Sequence, residues 1–457
     1  MKRFLCVILV LLLGFGLTPP RAEAADRDTV LRVGLYYGSS ALPTVTLENS
    51  GGFSFGSMNG TAFSTAQAAS AASITVKADG GSFTVTDAAG GTVYTASGDT
   101  LAIHPADGLT TCKSYRYYGD FVLKQSSSGS LTVINYVTLD NYVKGVLPYE
   151  MTPSWPAEAL KAQAVCTRSF ALGNLGKHES LGFDLCNTTN CQVYRGVDRA
   201  TAASDAAVDG TAGQYLMADG KLAIGYYFSC DGGATESNEN VWGGEPISYL
   251  RGVEDPYEDT ASAYNGVWSA TLTAAQVASK LNAAGYSIGT VADVRVTRRT
   301  ATDNVSEVTV TDTTGKTVVL TNSKVRTVFG LNSIRYTISG GSSASVDVGL
   351  YTGSAQKGGL PYAVGAAGNS LPGLVTGSVI GKTMLSAAGN VLSAAAHGKK
   401  LASTGPAPSS DGFTFTGTGW GHNVGMSQAG ARAMAEQGFT YDEILKFYFT
   451  GIEIAGQ

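Results

Sequence analysis

Apolar and polar positions alternate with a period of two in VLRVGLYYG at residues 30–38, and again in short runs at 73–77, 82–86, 92–96 and 101–103. Asp-Gly and Gly-Gly pairs punctuate these runs, as tight turns between strands require. The pattern predicts strands there, with a polar Gly/Ser-rich connection after the first. Two more are predicted over 115–123 and 131–139, joined by the flexible loop QSSSGS. The pattern then changes. Tyr142, Val143, Val146 and Leu147 form an apolar, strand-like run that Gly145 and Pro148 bend or end. Ser154 reads as an N-cap and Pro156 as part of a first helical turn, where its missing N–H costs nothing. AEALKAQAVCTRSFAL then predicts about four turns of helix from strong helix formers.

Further on, a short helix is expected over 205–211, strand pairs around the Asp-Gly turn of YLMADGKLAIGYYFSC, and a polar glycine-rich loop over 229–243. TLTAAQVASKLNAAG reads as a helix capped near Thr273 and stopped at Gly285. VADVRVTRRT, EVTVTDTTGKTVVLT and SIRYTIS read as strands, and SKVRTVFG as a short helix. The last stretch predicts a strand, a glycine-rich turn, a helix from about Ser427 to Glu436, and a final helix and strand in YDEILKFYFTGIEI. Residues 341–411 depart from all this. They are Gly/Ala/Ser-rich with few charges, an insertion or linker-bounded element in which VGLYTGS at 348–354 echoes VGLYYGS at 33–39. The expected fold class is α+β, with β-rich mixed sheets and a few short helices. It divides into an N-terminal β-rich region (25–138), a core (139–340), the insertion (341–411) and the C-terminal part of the core (412–457).

Composition narrows the function classes. Only 15% of the 457 residues are charged and 58 are glycine, a balance more common in β-rich extracellular proteins than in cytosolic ones. The net charge of −5 excludes a basic nucleic-acid footprint, and no polybasic run is present to hold an anionic membrane surface. Met1-Lys2-Arg3, the apolar stretch from Phe4 to Leu17 and Ala22-Glu23-Ala24 read as a secretory signal peptide cleaved after Ala24. An uncleaved anchor is the alternative. No other run is long and apolar enough to span a membrane, so the mature protein is expected to be secreted and soluble outside the membrane.

Glu150 draws the first chemical expectation. It stands between the apolar run and the helix, held by two rigid elements yet in loop backbone, where a carboxylate can face a cleft. His422, within Trp420-Gly421-His422, sits where a strand hands over to a helix start with exposed N–H groups. Cys6 leaves with the signal peptide. The remaining five cysteines are too few for a disulfide scaffold. His178, Cys186 and Cys191 have the donor types and spacing of a zinc loop, with Cys230 as a candidate fourth ligand. A Cys186–Cys191 disulfide and free thiols are the competing readings.

Four stretches together resemble the SpoIID/LytB family, the stage II sporulation protein D and amidase-enhancer group that acts on bacterial peptidoglycan. They are YVKGVLPYEMTPSWPAEALKAQAVCTRSFAL, FDLCNTTNCQVYRG, TESNENVWGG and GWGHNVGMSQAGARAMAEQGFTYDEILKFYFTGIEI. Cys166 stands where a small Ala is usual, and Asn190 and Asn423 replace residues expected often to be His and Gly. The resemblance implies a lytic transglycosylase that cuts glycan strands stripped of stem peptides, with Glu150 as the essential acid. It needs no cofactor, and any zinc would be structural. Apolar neighbours are expected to raise the pKa of Glu150. Trp420 would stack on sugar faces, while Gln163, Arg168, His422 and Gln428 would bind hydroxyl or N-acetyl groups. The implied partners are peptidoglycan strands and a cell-wall amidase. Two other functions compete: a glycan-binding enhancer of that amidase without catalysis of its own, and a zinc-dependent hydrolase, against which the lack of an HExxH pair argues.

Overall fold

The alternating runs of the N-terminal third form two largely antiparallel sheets. In the first, seven strands lie in the order Leu185–Cys186, Val30–Tyr36, Leu131–Thr138, Asp120–Gln125, Thr100–Pro105, Phe53–Asn59 and Ala62–Ala69. The second holds six, in the order Tyr115–Tyr117, Thr110–Cys112, Thr44–Glu48, Ser73–Asp79, Ser82–Asp87 and Thr92–Ser97. Leu31, Val33, Phe55 and Leu123 from one sheet and Val45, Leu47, Ile74, Val76 and Phe83 from the other enter one core, as period-two alternation demands. This computed structural model describes residues 29–126, 129–263, 266–340 and 412–456, with five short strand pieces between Val348–Gly349 and Ala402–Ser403. The expected signal peptide, most of the 341–411 insertion and the rest of its VGLYTGS echo lie outside the described residues. No helix among the described residues is long and apolar enough to cross a membrane.

The expected class, α+β with many strands and few short helices, is the class observed. Three local expectations are corrected. The single strand foreseen over 115–123 is two strands in different sheets. Gly119 breaks it at φ +85, where a Cβ would lie 2.1 Å from the Tyr136 carbonyl. The connection over 39–72 contains three strands, Thr44–Glu48, Phe53–Asn59 and Ala62–Ala69. The last is mostly exposed and made of small residues, so it carries little apolar signal. The apolar run after residue 139 is not a strand but helix α1, Leu139–Glu150.

Helix α2 spans Ala157–Gly173, and α3 spans Ala202–Asp209. The N-cap of α2 is Pro156 rather than Ser154, and it makes no side-chain capping bond. α2 is almost entirely buried, which explains its many small residues: α1, α3 and the helices Gln428–Glu436 and Tyr441–Tyr448 pack around it. Cys166 is one such position, since a Cβ on Gly225 would fall 2.7 Å from its Cα.

The chain forms two units. The first comprises Met1–Phe228, Ile247–Arg251 and Val424–Gln457, and the second Ser229–Pro246 with Gly252–Asn423. No division falls near residue 138, because Phe170, Ala171, Phe183 and Tyr194 share the core of the N-terminal strands. The second unit contains the three-stranded sheets Val267–Thr273/Gly412–Thr418/Arg335–Gly340 and Val291–Arg299/Val305–Asp312/Thr317–Thr321, with helix Ala274–Ala283 capped by Thr273 as expected.

Candidate active site

Why residues 139–150 form a helix is visible in their spacing. Leu139, Tyr142, Val143, Val146 and Leu147 recur at i, i+3, i+4, i+7 and i+8, and all are buried. Gly145 and Pro148, which suggest a bend, have other reasons to be there. A Cβ on Gly145 would lie 2.3 Å from the ring of buried Tyr194, so glycine lets that ring lie against the helix. Pro148 falls in the last turn, and Met151 closes the helix with its N–H on the Leu147 carbonyl. Glu150 is therefore the final residue of α1, aimed by a rigid element.

Tyr194 is fixed in turn. Its hydroxyl donates to Asn135 Oδ1 at 2.7 Å, and Asn135 Nδ2 donates to the carbonyls of Tyr118 and Asp120 at 3.0 Å each. Gly145→Ala is expected to cost about 1–3 kcal/mol by overpacking. It should also displace the neighbouring Val193, and urea denaturation should show the lost stability.

The half-buried Glu150 carboxylate accepts a hydrogen bond from the Val193 N–H on Oε1 at 3.1 Å, and the Tyr227 hydroxyl bonds to it as well. A directed chain stands behind Tyr227. The Tyr142 hydroxyl donates to Gln192 Oε1 at 3.2 Å, and Gln192 Nε2 donates to the Tyr227 oxygen at 2.9 Å. With its oxygen already accepting from Gln192, Tyr227 presents its own proton to Glu150. Burial and then the charge of Glu150 hold the Tyr227 phenol well above its ordinary range, so it stays a donor. Burial is the largest influence on Glu150 itself and raises its pKa. The bonds from Val193 and Tyr227 oppose that rise, and none of the three causes is a second carboxylate.

Tyr227→Phe should therefore raise the Glu150 pKa further, because it deletes a bond that favours the ionised form. The expected result is a Glu150 carboxyl that titrates at higher pH when followed by NMR of carboxyl-labelled protein. An unchanged titration would show that the phenol does not act on the carboxyl.

The other expected site residues are distributed differently. Gln163 and Arg168 are wholly buried in α2. Gln163 donates to Thr167 Oγ1 at 3.1 Å and accepts from Gln428 Nε2 at 3.2 Å, so Gln163 and Gln428 join α2 to the helix Gln428–Glu436. Arg168 forms an ion pair with Asp140 of α1 at 2.7 Å and donates to the Gln214 carbonyl at 3.0 Å. These three side chains serve packing, with little or no surface to offer a sugar.

Trp420 and His422 belong to the second unit. Trp420 is partly exposed, its backbone exchanging two hydrogen bonds with Cys230, and the His422 ring lies 5.3 Å from that of Trp242. Trp242, 42% exposed, is an aromatic that the sequence reading passed over. Its place within the glycine-rich loop 229–243 was the available signal. Asn423 occupies left-handed backbone at φ +65, which accounts for Asn where Gly is expected.

His178, Cys186 and Cys191 converge, each offering a donor atom within 4.8 Å of the others. Cys191 Sγ lies 3.3 Å from His178 Nε2, and both cysteines are free. Hydrogen bonding, first from Cys191, then from Thr188 and Tyr37, pulls the Cys186 thiol down. The Cys191 thiol is correspondingly raised. Two soft sulfurs and an imidazole at a buried corner fit zinc chemically. Cys230 lies in the second unit, buried, its thiol pushed up to about 12 chiefly by desolvation.

Comparison with known proteins follows this geometry. The family described as SpoIID, stage II sporulation protein, matches residues 127–217, the span that holds Glu150, α2 and the Cys/His cluster. An uncharacterised protein of Brachyspira hyodysenteriae is 31% identical over 356 residues, covering 78% of this chain and 76% of its own length. Stage II sporulation protein D of Bacillus subtilis (strain 168) is 26% identical over 338 residues, 70% of this chain and 76% of that protein. The amidase enhancer of the same organism is 27% identical over 330 residues, 68% of this chain but 39% of that longer protein. With the motifs around Glu150 and residues 420–428 these likenesses agree, and the chain belongs to the SpoIID/LytB family.

Proposed function

We propose that this protein is an exported lytic transglycosylase of bacterial cell-wall glycan. The observation that carries this reading is the setting of Glu150: a carboxyl at a helix end, raised in pKa by burial and bonded to Val193 and Tyr227, with no second carboxylate among the groups that act on it. Hydrolytic glycosidases need two carboxyl groups, one as acid and one as base or nucleophile. A lytic transglycosylase needs one. Glu150 protonates the GlcNAc O4 as the bond from MurNAc C1 breaks. The resulting carboxylate then takes the proton of the MurNAc C6 hydroxyl as that oxygen bonds to C1. A 1,6-anhydro ring closes, Glu150 regains its proton, and no water is consumed. Within the second unit by itself, Trp420, Trp242 and His422 offer aromatic faces of the kind on which sugars stack.

Mass spectrometry of products from purified peptide-free glycan strands tests the reaction. Anhydro-ended fragments are expected. Reducing ends would mark a hydrolase. No new ends, with binding retained, would favour the second reading, a glycan-binding stimulator of a cell-wall amidase, which the name of the amidase-enhancer relative suggests.

In this proposal His178, Cys186 and Cys191 hold a structural zinc that ties the loop 177–192 to the strand Val30–Tyr36, with which Leu185–Cys186 pairs. Zinc would supply cross-linking there and no step of the reaction. Elemental analysis of the purified protein should find about one zinc per chain. Chelation should lower the melting temperature while any residual cleavage still yields anhydro ends.

A further inference from the structure

We infer that Asp231, Asp255 and Glu258, all in the second unit, form a binding site for a hard divalent cation, calcium. The site shares no residue with the Cys/His cluster and does not rest on the glycan-cleaving reading.

The three acids meet because two stretches of loop hold each other's backbone. Glu258 accepts the Asp231 N–H on Oε2 at 2.8 Å and the Gly232 N–H on Oε1 at 2.9 Å. The Asp255 N–H donates to the Gly233 carbonyl at 3.0 Å, and Ala234 pairs with Glu254 in an antiparallel bridge. Asp255 Oδ1 in turn accepts the N–H groups of Tyr257 and Glu258, at 2.9 and 3.1 Å. As a result each acid offers an oxygen within 4.8 Å of the other two. Ligands on opposite sides of one calcium ion stand about 4.6–5.2 Å apart, so all three oxygens can reach a single ion.

Converging acids alone do not make a site. What points to a ligand is Asp231, which has no exposed surface. Its Oδ1 accepts the Gly233 N–H at 2.6 Å, but its Oδ2 is buried with no hydrogen-bond partner among the described residues. The side chain within hydrogen-bonding reach of this carboxyl is Asp255, which has no proton to give when ionised. A second orphaned acceptor lies close by. Asn423, also fully buried, donates its amide N–H groups to the Asp231 and Ala234 carbonyls at 2.9 and 3.2 Å, and its Oδ1 has no partner. Buried acceptors without donors are costly, and a cation among the carboxyls removes that cost at Asp231. Burial, then the charges of Glu258 and Asp255, hold the Asp231 carboxyl well above its ordinary range, as befits an acid surrounded by acids. With only oxygen donors the site selects a hard ion, whereas the sulfurs of the Cys/His cluster suit a softer one.

The ion has a structural consequence within this unit. Cys230, next to Asp231, exchanges two backbone hydrogen bonds with Trp420, and the Asn423 carbonyl accepts the Glu236 N–H at 2.6 Å. Calcium at Asp231 therefore fixes the glycine-rich loop 229–243 against the segment that carries Trp420 and His422.

Calorimetric titration with calcium chloride tests this on the full chain, freed of metal over a chelating resin. About one calcium per chain is expected to bind with a Kd of about 10⁻⁴–10⁻³ M, the range of extracellular modules, and to raise the melting temperature. Asp231→Asn keeps an oxygen for the Gly233 N–H but loses the charge. It should weaken binding about tenfold or more and cancel the calcium-dependent rise in melting temperature. Asp255→Asn should do the same, and circular dichroism identifies a variant that fails to fold, so that the other decides. Glu245→Gln, at an exposed acid of the same unit, should bind calcium as the parent does. No binding by the parent at about 10 mM calcium would overturn the inference and leave a shared proton between Asp231 and Asp255. Unchanged affinity in the folded Asp231 and Asp255 variants, or an equal loss in Glu245→Gln, would overturn it as well.

Discussion

Replacing Glu150 by Gln is expected to reduce release of anhydro-ended fragments by about a thousandfold, the usual scale for loss of a positioned general acid. Gln keeps the length and an oxygen that can accept the Val193 N–H, so the fold and strand binding should survive. Wild-type activity from the variant would dismiss the assigned role. The pH dependence has a definite sign. Burial raises the Glu150 pKa above its ordinary 4.5, so its acid form persists to higher pH than that of an exposed glutamate. Cleavage should fall as pH rises through this raised value. The same shift bears on stability. A group whose folded pKa is raised favours folding while it is protonated, and that contribution is lost as pH rises through the folded pKa. At neutral pH Glu150→Gln should therefore raise the melting temperature slightly, the reverse of what loss of a packing residue would do.

The second large effect is expected at Arg168. Arg168→Met should destabilise the first unit by about 3–5 kcal/mol, the range for breaking a buried ion pair by removing one partner. The guanidinium is fully buried and reaches Asp140 Oδ1 through two nitrogens, at 2.9 and 2.7 Å, and the Gln214 carbonyl at 3.0 Å. Without it those acceptors lose their donor. Asp140 keeps some contact with water, which sets the expectation towards the lower end. Lysine should rescue little, because one ammonium cannot reproduce the fork. Urea denaturation of Arg168→Met, Asp140→Asn and the double variant would measure the coupling. Unchanged stability with a raised KM would instead return Arg168 to sugar binding.

Much of this protein was legible along the chain. Period-two alternation marked most strands of the N-terminal sheets, and Thr273 and Gly285 marked the bounds of a helix whose caps are local chemistry. Glu150 stood out because it precedes a strong helix signal, and His178, Cys186 and Cys191 because their donor types and spacing suit one ion. α1 was legible too. Leu139, Tyr142, Val143, Val146 and Leu147 follow helical spacing, but Gly145 and Pro148 argue for a break until Tyr194 is seen occupying the space a Cβ would need. Only the tertiary structure decided the rest. Tyr227 lies 77 positions beyond Glu150, and Val193 contributes a backbone N–H, a group every residue but proline has. No periodicity could select either. Gln163, Arg168 and Gln428 look like sugar-binding residues in sequence, yet burial and pairing across long separations give them to the core. Local sequence sets propensity, caps and the presence of a reactive group. Which polar groups end up satisfied inside and which face solvent depends on contacts between distant segments, and those exist only once the chain has folded.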